Sequence, residues 1–415
     1  MKSSTWVDGV RARQLPACRH AILRRARGGR DRREVPGRVV QMLSARYVIA
    51  NRIPLAAIDL TFRVASAAVL SRAGRYRFVV GGITPRQLAA TLARIRTIRS
   101  WPVAWVRTAR SYLNQARTGR RSGDLAIAAE QQRSAALCYH FAHIFELENL
   151  ERRRRLYRRA ARLFRDVAPH LAPPAFPVEV DWRGTPLPGY LRLPESSSRP
   201  APLVVLLNGS STVKEETIGW ATPFLQRGLA VLALDTPGSG EAWDLALAAP
   251  GQEDIAEAII DFTSRVPELD SRKVSLLGVS LRGAMAVQLA THLPELAAVV
   301  AVTPPYDPAP YLPYLHPIVQ QDVAWAIGVT PADLPNLVSH ITLVEAVRAL
   351  RVPLMVVGAG ADLVVPPAEA LRLYRAAASP KYLLFLDDAN HVAFTHLEQW
   401  TAAAADWLAA TLSEA

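Results

Sequence analysis

The stretch Lys273-Val274-Ser275-Leu276-Leu277-Gly278-Val279-Ser280-Leu281-Arg282-Gly283-Ala284-Met285-Ala286-Val287-Gln288-Leu289-Ala290 decides the fold. Its first five residues form an apolar run that reads as a buried strand, and its last seven read as a helix. Between them stands Ser280, with Gly278 and Gly283 on either side. A serine on a tight turn from strand to helix is a nucleophile elbow, which holds the hydroxyl clear of the backbone. The following helix aims its N-terminus at the reacting carbonyl. Arg282 departs from the pattern, because G-x-S-x-G has its second glycine there. A side chain at that point crowds the backbone near Gly278, although the remaining glycines permit a slightly opened turn. Three readings follow for Arg282. It reaches into the pocket and meets an anionic substrate group, it runs along the helix to a surface carboxylate, or it marks a site that has lost activity.

Outward from the elbow, the period of the sequence identifies a sheet. Phe176 to Trp182, Arg183-Gly184 and Leu187 to Leu193 read as a β-hairpin, with Ser196-Ser197-Ser198 as a linker after it. Apolar runs then alternate with helices: Leu203–Leu207, Ala230–Leu234, Val274–Leu277, Ala298–Val302, Leu354–Val357 and Tyr382–Leu386. Continuous apolar strands separated by helices predict a mostly parallel sheet covered on both faces. With the hairpin, the expectation is an eight-stranded α/β sheet with helices on both faces, over residues 175–415.

Acyl transfer by serine needs a base, an acid that orients the base, and donors for the oxyanion. In α/β-hydrolases these follow in the order Ser, Asp or Glu, His. Asp362 lies in the loop after Leu354–Val357, and His391 lies in the last loop before the terminal helix. Ser280, Asp362 and His391 are therefore the expected catalytic residues. His396 is a rival base, and Asp387 and Asp388 read as turn formers. The oxyanion donors are assigned to the backbone N–H of Leu281 and that of Ser210, in the loop Asn208-Gly209-Ser210-Ser211. Gly209 lets that backbone approach closely.

The N-terminal third reads differently. Residues 41–174 carry helical periodicity, ending at Leu171-Ala172-Pro173-Pro174. One helix starts near Gly123 and runs toward Phe141; another spans Glu151 to Phe164, where Leu156, Tyr157, Ala160, Ala161, Leu163 and Phe164 recur at helical spacing and arginines fill the rest. That arginine run reads as a solvated face paired with local carboxylates, or alternatively as a surface for an anionic partner. The chain has 415 residues and a formal charge of +13. Residues 1–40 hold eleven Lys and Arg against three acids, a net of +8, so the rest carries only +5. The basic excess sits in a Gly- and Arg-rich stretch without interleaved aromatics, which argues against nucleic acid as a partner. The stretch reads as a disordered tail, as an organellar transit segment, or as an extension ahead of a start at Met42. Cys18 and Cys138 are the only cysteines, so neither a metal site nor a disulfide framework is expected, and a reducing, cytoplasmic location fits. No secretory segment or membrane span is read, and no cofactor is implied. The helical region offers a surface for a homodimer.

Several segments together resemble the α/β-hydrolase family that includes the fermentation-respiration-switch esterase-like proteins and 2,6-dihydroxypseudooxynicotine hydrolase. They are Ala135–Ala142, Leu187–Pro194, Leu206–Glu216, Gly228–Glu241 and the elbow. The resemblance implies a helical cap over the hydrolase domain and Ser280, Asp362 and His391 as the triad. Asn208, Ser211-Thr212-Val213-Lys214 and Arg282 depart from the family pattern of Gly, Asp-Ser-Thr-Lys and Gly. Members include ester hydrolases and enzymes that cleave carbon–carbon bonds next to ketones. The expected substrate is therefore a small molecule: a carboxylic ester, or alternatively a β-diketone or aryl ketone. A third alternative is a hydrolase fold kept for binding alone. Residues 303–350 are long for a simple connection and read as a lid. Tyr306, Tyr311 and Trp325 there, with Arg282, are the candidate substrate-contacting residues, the three aromatics reading equally as packing of the lid, and Asp307 reads as a turn residue or a helper in proton transfer.

Overall fold

The structure is a computed structural model, and it describes residues 43–70, 72–195, 200–245, 254–337 and 341–414. The basic N-terminal stretch with Cys18 and the Ser196-Ser197-Ser198 linker lie outside the described residues. The eight strands are β1 (Phe176–Trp182), β2 (Thr185–Arg192), β3 (Ala201–Leu207), β4 (Ala230–Leu234), β5 (Leu269–Val279), β6 (Ala298–Val302), β7 (Leu354–Ala359) and β8 (Lys381–Leu386). They form one sheet in the order β1-β2-β4-β3-β5-β6-β7-β8. β2 is antiparallel to both β1 and β4, and the other pairings are parallel. Every residue of β4, β6 and β7 is buried. Burial on both faces explains why those strands read as unbroken apolar runs rather than alternating ones.

Helices α1 (Ala45–Asn51), α2 (Leu55–Val69), α3 (Arg72–Val80), α4 (Pro85–Leu92), α5 (Trp101–Ser122), α6 (Leu125–Ile144) and α7 (Leu150–Arg165) precede the sheet. Their own core is aromatic: Phe78, Trp101, Trp105 and Phe141 are buried, with ring centroids 4.7–5.9 Å apart along the cluster. The N-termini are built as the sequence allows. Ser44 caps α1, Thr84 caps α4 with Pro85 in the first turn, and Asn149 caps α7 through a bond from the Arg152 N–H at 2.7 Å. Leu163 and Phe164 of α7 join a second core with β-sheet residues such as Val204, Val231 and Val300, so the helices and the sheet share packed interior. Phe164 meets Tyr190 of β2 at 5.0 Å between ring centroids.

The arginines of α7 mostly form the expected solvated face, with Arg153 as the exception. Arg154 pairs locally with Glu151, but Arg153 is buried and bonds Asp322, far along the chain, at 2.6 Å. Among the described residues, no helix is long and apolar enough to cross a membrane.

Candidate active site

Parallel strands place their C-terminal ends along one edge, and the chemistry-bearing residues collect there. Ser280 directly follows β5, and its N–H donates to the Val302 carbonyl at the end of β6, at 2.8 Å. Its φ of 55° and ψ of −124° lie in a region that costs a residue with a Cβ energy. Thr303, Val392 and Ala393 also have positive φ, so four of the five such non-glycine residues described lie at this edge.

The tightness of the elbow falls on Gly278. A Cβ there would lie 2.0 Å from the Arg282 carbonyl oxygen, which makes glycine obligatory. Position 282 is different, because its side chain is held by the loop after β4. Arg282 is fully buried, and its Nη2 donates to the Pro237 carbonyl at 2.8 Å. Its Nε and Nη1 have no hydrogen-bond partner among the described residues. Burial lowers its pKa to about 10, with Asp235 acting in the opposite direction. Arg282 therefore neither lines the cavity beside Ser280 nor reaches a surface carboxylate. The guanidinium lies under the loop after β4.

The other two expected residues converge on Ser280. His391 Nε2 is 2.9 Å from Ser280 Oγ, and His391 Nδ1 is 2.7 Å from Asp362 Oδ2. Asp362 is buried, and its Oδ1 accepts the N–H groups of Val364 and Val365 at 2.8 and 2.9 Å. The loop after β7 thus fixes the carboxylate before it meets the imidazole. His396 is elsewhere, 3.2 Å from Asp388, whose side chain is exposed. Asp387 contributes its backbone to a turn, packed against Gly360.

The loop after β3 runs beside the serine. Gly209 packs against Ser280, and its N–H donates to Thr212 Oγ1 at 2.6 Å, so Ser210 supplies the next N–H along. Asn208 joins two strand ends: its Nδ2 donates to the Leu234 carbonyl and to Asp235, at 3.1 and 2.8 Å. Behind the loop, Lys214 is fully buried and bonded to Glu215, Asp235 and Glu241 at 2.7–2.8 Å.

Sequence reasoning did not single out Arg77, on α3. Its guanidinium donates to both Glu216 oxygens at 2.7 Å and to the Ser211 carbonyl at 2.8 Å. The other partner of Glu216 is His140 Nε2, at 2.9 Å. Burial alone would raise the Glu216 pKa, but the Arg77 charge, with His140, holds it down at about 2. The helical region is thereby tied to the loop that carries Ser210. No local sequence signal pairs residues so far apart.

A cavity of about 310 Å³ opens over this edge, lined by Ser280, Leu281, His391, Ser210, Tyr311 and apolar side chains from the helical region and residues 305–341. Of the four residues expected to contact substrate, only Tyr311 lines it. Tyr306 is buried under the Arg372 guanidinium, 4.8 Å from its ring. Trp325 stacks on Arg153 and lines a neighbouring cavity. Asp307 bonds Arg372 at 3.3 Å and does not line the cavity.

The chain is similar to several known hydrolases. It is 31% identical over 225 residues to the 2,6-dihydropseudooxynicotine hydrolase of Paenarthrobacter nicotinovorans, a match covering 54% of this chain and 60% of that protein. It is 25% identical over 182 residues to hydrolyase poxO of Penicillium oxalicum, covering 41% and 42%. The chain thus spans about three fifths of the length of the first relative and two fifths of the second. A solved structure of a 2,6-dihydroxy-pseudo-oxynicotine hydrolase superposes with a TM-score of 0.72 at 26% identity, over 81% of this chain and 95% of that one. The prolyl oligopeptidase family pattern matches residues 216–415. The FrsA-like esterase pattern matches residues 80–307, from the helical region through the elbow to the end of β6 and beyond, and on that match the chain belongs to the FrsA-like esterase family.

Proposed function

We propose that the protein is a serine hydrolase that cleaves a small or medium carboxylic ester through an acyl-enzyme. The observation that carries this reading is the continuous contact Asp362–His391–Ser280, at 2.7 and 2.9 Å, beside a cavity lined mainly by apolar side chains. His391 Nε2 takes the Ser280 proton as Oγ attacks the carbonyl carbon. Asp362 holds the proton on Nδ1 and stabilises the imidazolium. The N–H groups of Leu281 and Ser210 hold the oxyanion. As the tetrahedral species collapses, His391 gives its proton to the departing alcohol. Water then repeats the sequence, releasing the carboxylic acid and restoring Ser280. In this reading residues 41–174 act as a cap on the catalytic domain 175–415, and residues 303–350 act as a lid.

The likeness to pseudooxynicotine hydrolases supports a second reading, cleavage of a carbon–carbon bond in a β-diketone or aryl ketone by the same serine. The two are separated by a panel of p-nitrophenyl esters of increasing chain length, aryl ketones and β-diketones. Ester turnover is expected, falling at least about 1,000-fold in Ser280→Ala. Turnover confined to the ketones would transfer the assignment to the second reading.

A further inference from the structure

The cavity over Ser280 has a larger neighbour, of about 750 Å³. Ser210 and Asp322 line both, so these two residues stand between the chambers. Tyr157 of α7, Trp243 of the loop after β4 and Trp325 of the helix Pro317–Ile327 line the outer chamber, and the Arg154 guanidinium, also in the lining, covers one face of Trp243 at 3.3 Å from its ring centre. Nothing in the Asp362–His391–Ser280 arrangement uses this space.

Asp322 is the charged group at the boundary. Its Oδ1 accepts from Arg153 Nη2 at 2.6 Å, while its Oδ2 has no hydrogen-bond partner among the described residues. Arg153 has other partners too: it donates to the Ile144 carbonyl at 2.9 Å and lies 4.7 Å from the Trp325 ring centre. The carboxylate charge is thus already balanced by Arg153, and a second cation would compete with that pair for Asp322. A neutral donor, a hydroxyl or an amide N–H, satisfies Oδ2 at less cost.

We propose that the outer chamber binds the long arm of the substrate, with Asp322 Oδ2 accepting a hydrogen bond from a neutral donor near the scissile carbonyl and Trp243 and Trp325 packing on an aromatic ring at the arm's end. This rests on the reading of Ser280 as the nucleophile. It makes the preferred substrate two-armed: a short arm in the chamber over Ser280, and a longer one passing Ser210 and Asp322.

Calorimetric titration of the Ser280→Ala protein tests the chamber without turnover. The ligands are ethyl 3-hydroxy-4-phenylbutyrate, ethyl 4-phenylbutyrate and ethyl butyrate. The hydroxylated ester is expected to bind at least tenfold more tightly than its parent, and Asp322→Leu should bring that ratio close to one. Because Asp322→Leu leaves Arg153 without its carboxylate, Trp243→Ala provides an independent variant. It should cut the advantage of the phenyl-ended ester over ethyl butyrate by about tenfold. Equal binding of the hydroxylated and parent esters, or either ratio unchanged in its variant, overturns the proposal. Wild-type ester turnover that survives Ser280→Ala would instead overturn the nucleophile assignment and leave the binding result standing.

Discussion

Arg282 was the one residue that set the elbow apart from its pattern, and its placement bears directly on whether the turn is intact. The crowding falls on Gly278, which meets the Arg282 carbonyl, while the guanidinium reaches the Pro237 carbonyl. Arg282 thus fills interior volume and bonds Pro237. Arg282→Gly is therefore expected to lower stability by about 2–4 kcal/mol, from the lost packing and the unpaired carbonyl, without raising ester turnover. Thermal unfolding and steady-state kinetics check both, and a gain in activity would mean that Arg282 obstructs the site. The elbow was legible in the sequence because it is local: a strand, a turn and a helix within eighteen contiguous residues. The direction of Arg282 was not legible, because its partner lies 45 residues upstream. The same holds for Asn208, a departure at the end of β3 that proves to join β3 to β4 through Asp235.

Among the elements, the strap from α3 to the loop after β3 has the clearest consequence. Arg77 holds both Glu216 and the Ser211 carbonyl, next to the proposed oxyanion donor Ser210. Arg77→Ala should lower kcat by roughly 10–100-fold with a smaller change in KM, because a loosened donor affects the transition state most. Arg77→Lys should recover part of the loss by restoring the charge. Equal losses in kcat for both variants together with a collapse in thermal stability would indicate a purely structural role. Glu216 adds a pH dependence. Its pKa is about 2 in the folded protein against an ordinary 4.5, so its contribution is present above pH 4.5 and is lost as pH falls toward 2. That contribution amounts to roughly 3 kcal/mol. Stability measured by denaturant titration should therefore fall across this window, and less steeply in Glu216→Gln. The strand runs and their order in the chain were readable from periodicity, but this strap was not. It joins α3, α6 and the loop after β3 through charged side chains, which carry no apolar period.

On the scale of the whole molecule, the helical region keeps its own aromatic core but also shares a packed cluster with the sheet. Leu163 and Phe164 belong to the same packed cluster as Val204, Val231 and Val300. The helical region and the sheet are accordingly expected to unfold in a single calorimetric transition, and two separate transitions would show that the helices fold independently. The sequence disclosed both regions and the three residues at the strand ends, because each belongs to a pattern repeated along the chain. It did not disclose which aromatics face which cavity, because Tyr306, Tyr311 and Trp325 share one connecting segment and differ only in how that segment folds back. The central claim, that Ser280 is a nucleophile activated by His391, is tested most directly by fluorophosphonate labelling followed by peptide mass spectrometry. The account predicts one adduct, on Ser280, abolished in Ser280→Ala and strongly slowed in His391→Ala. A correctly folded protein whose Ser280 stays unlabelled, or labels equally fast without His391, would contradict it.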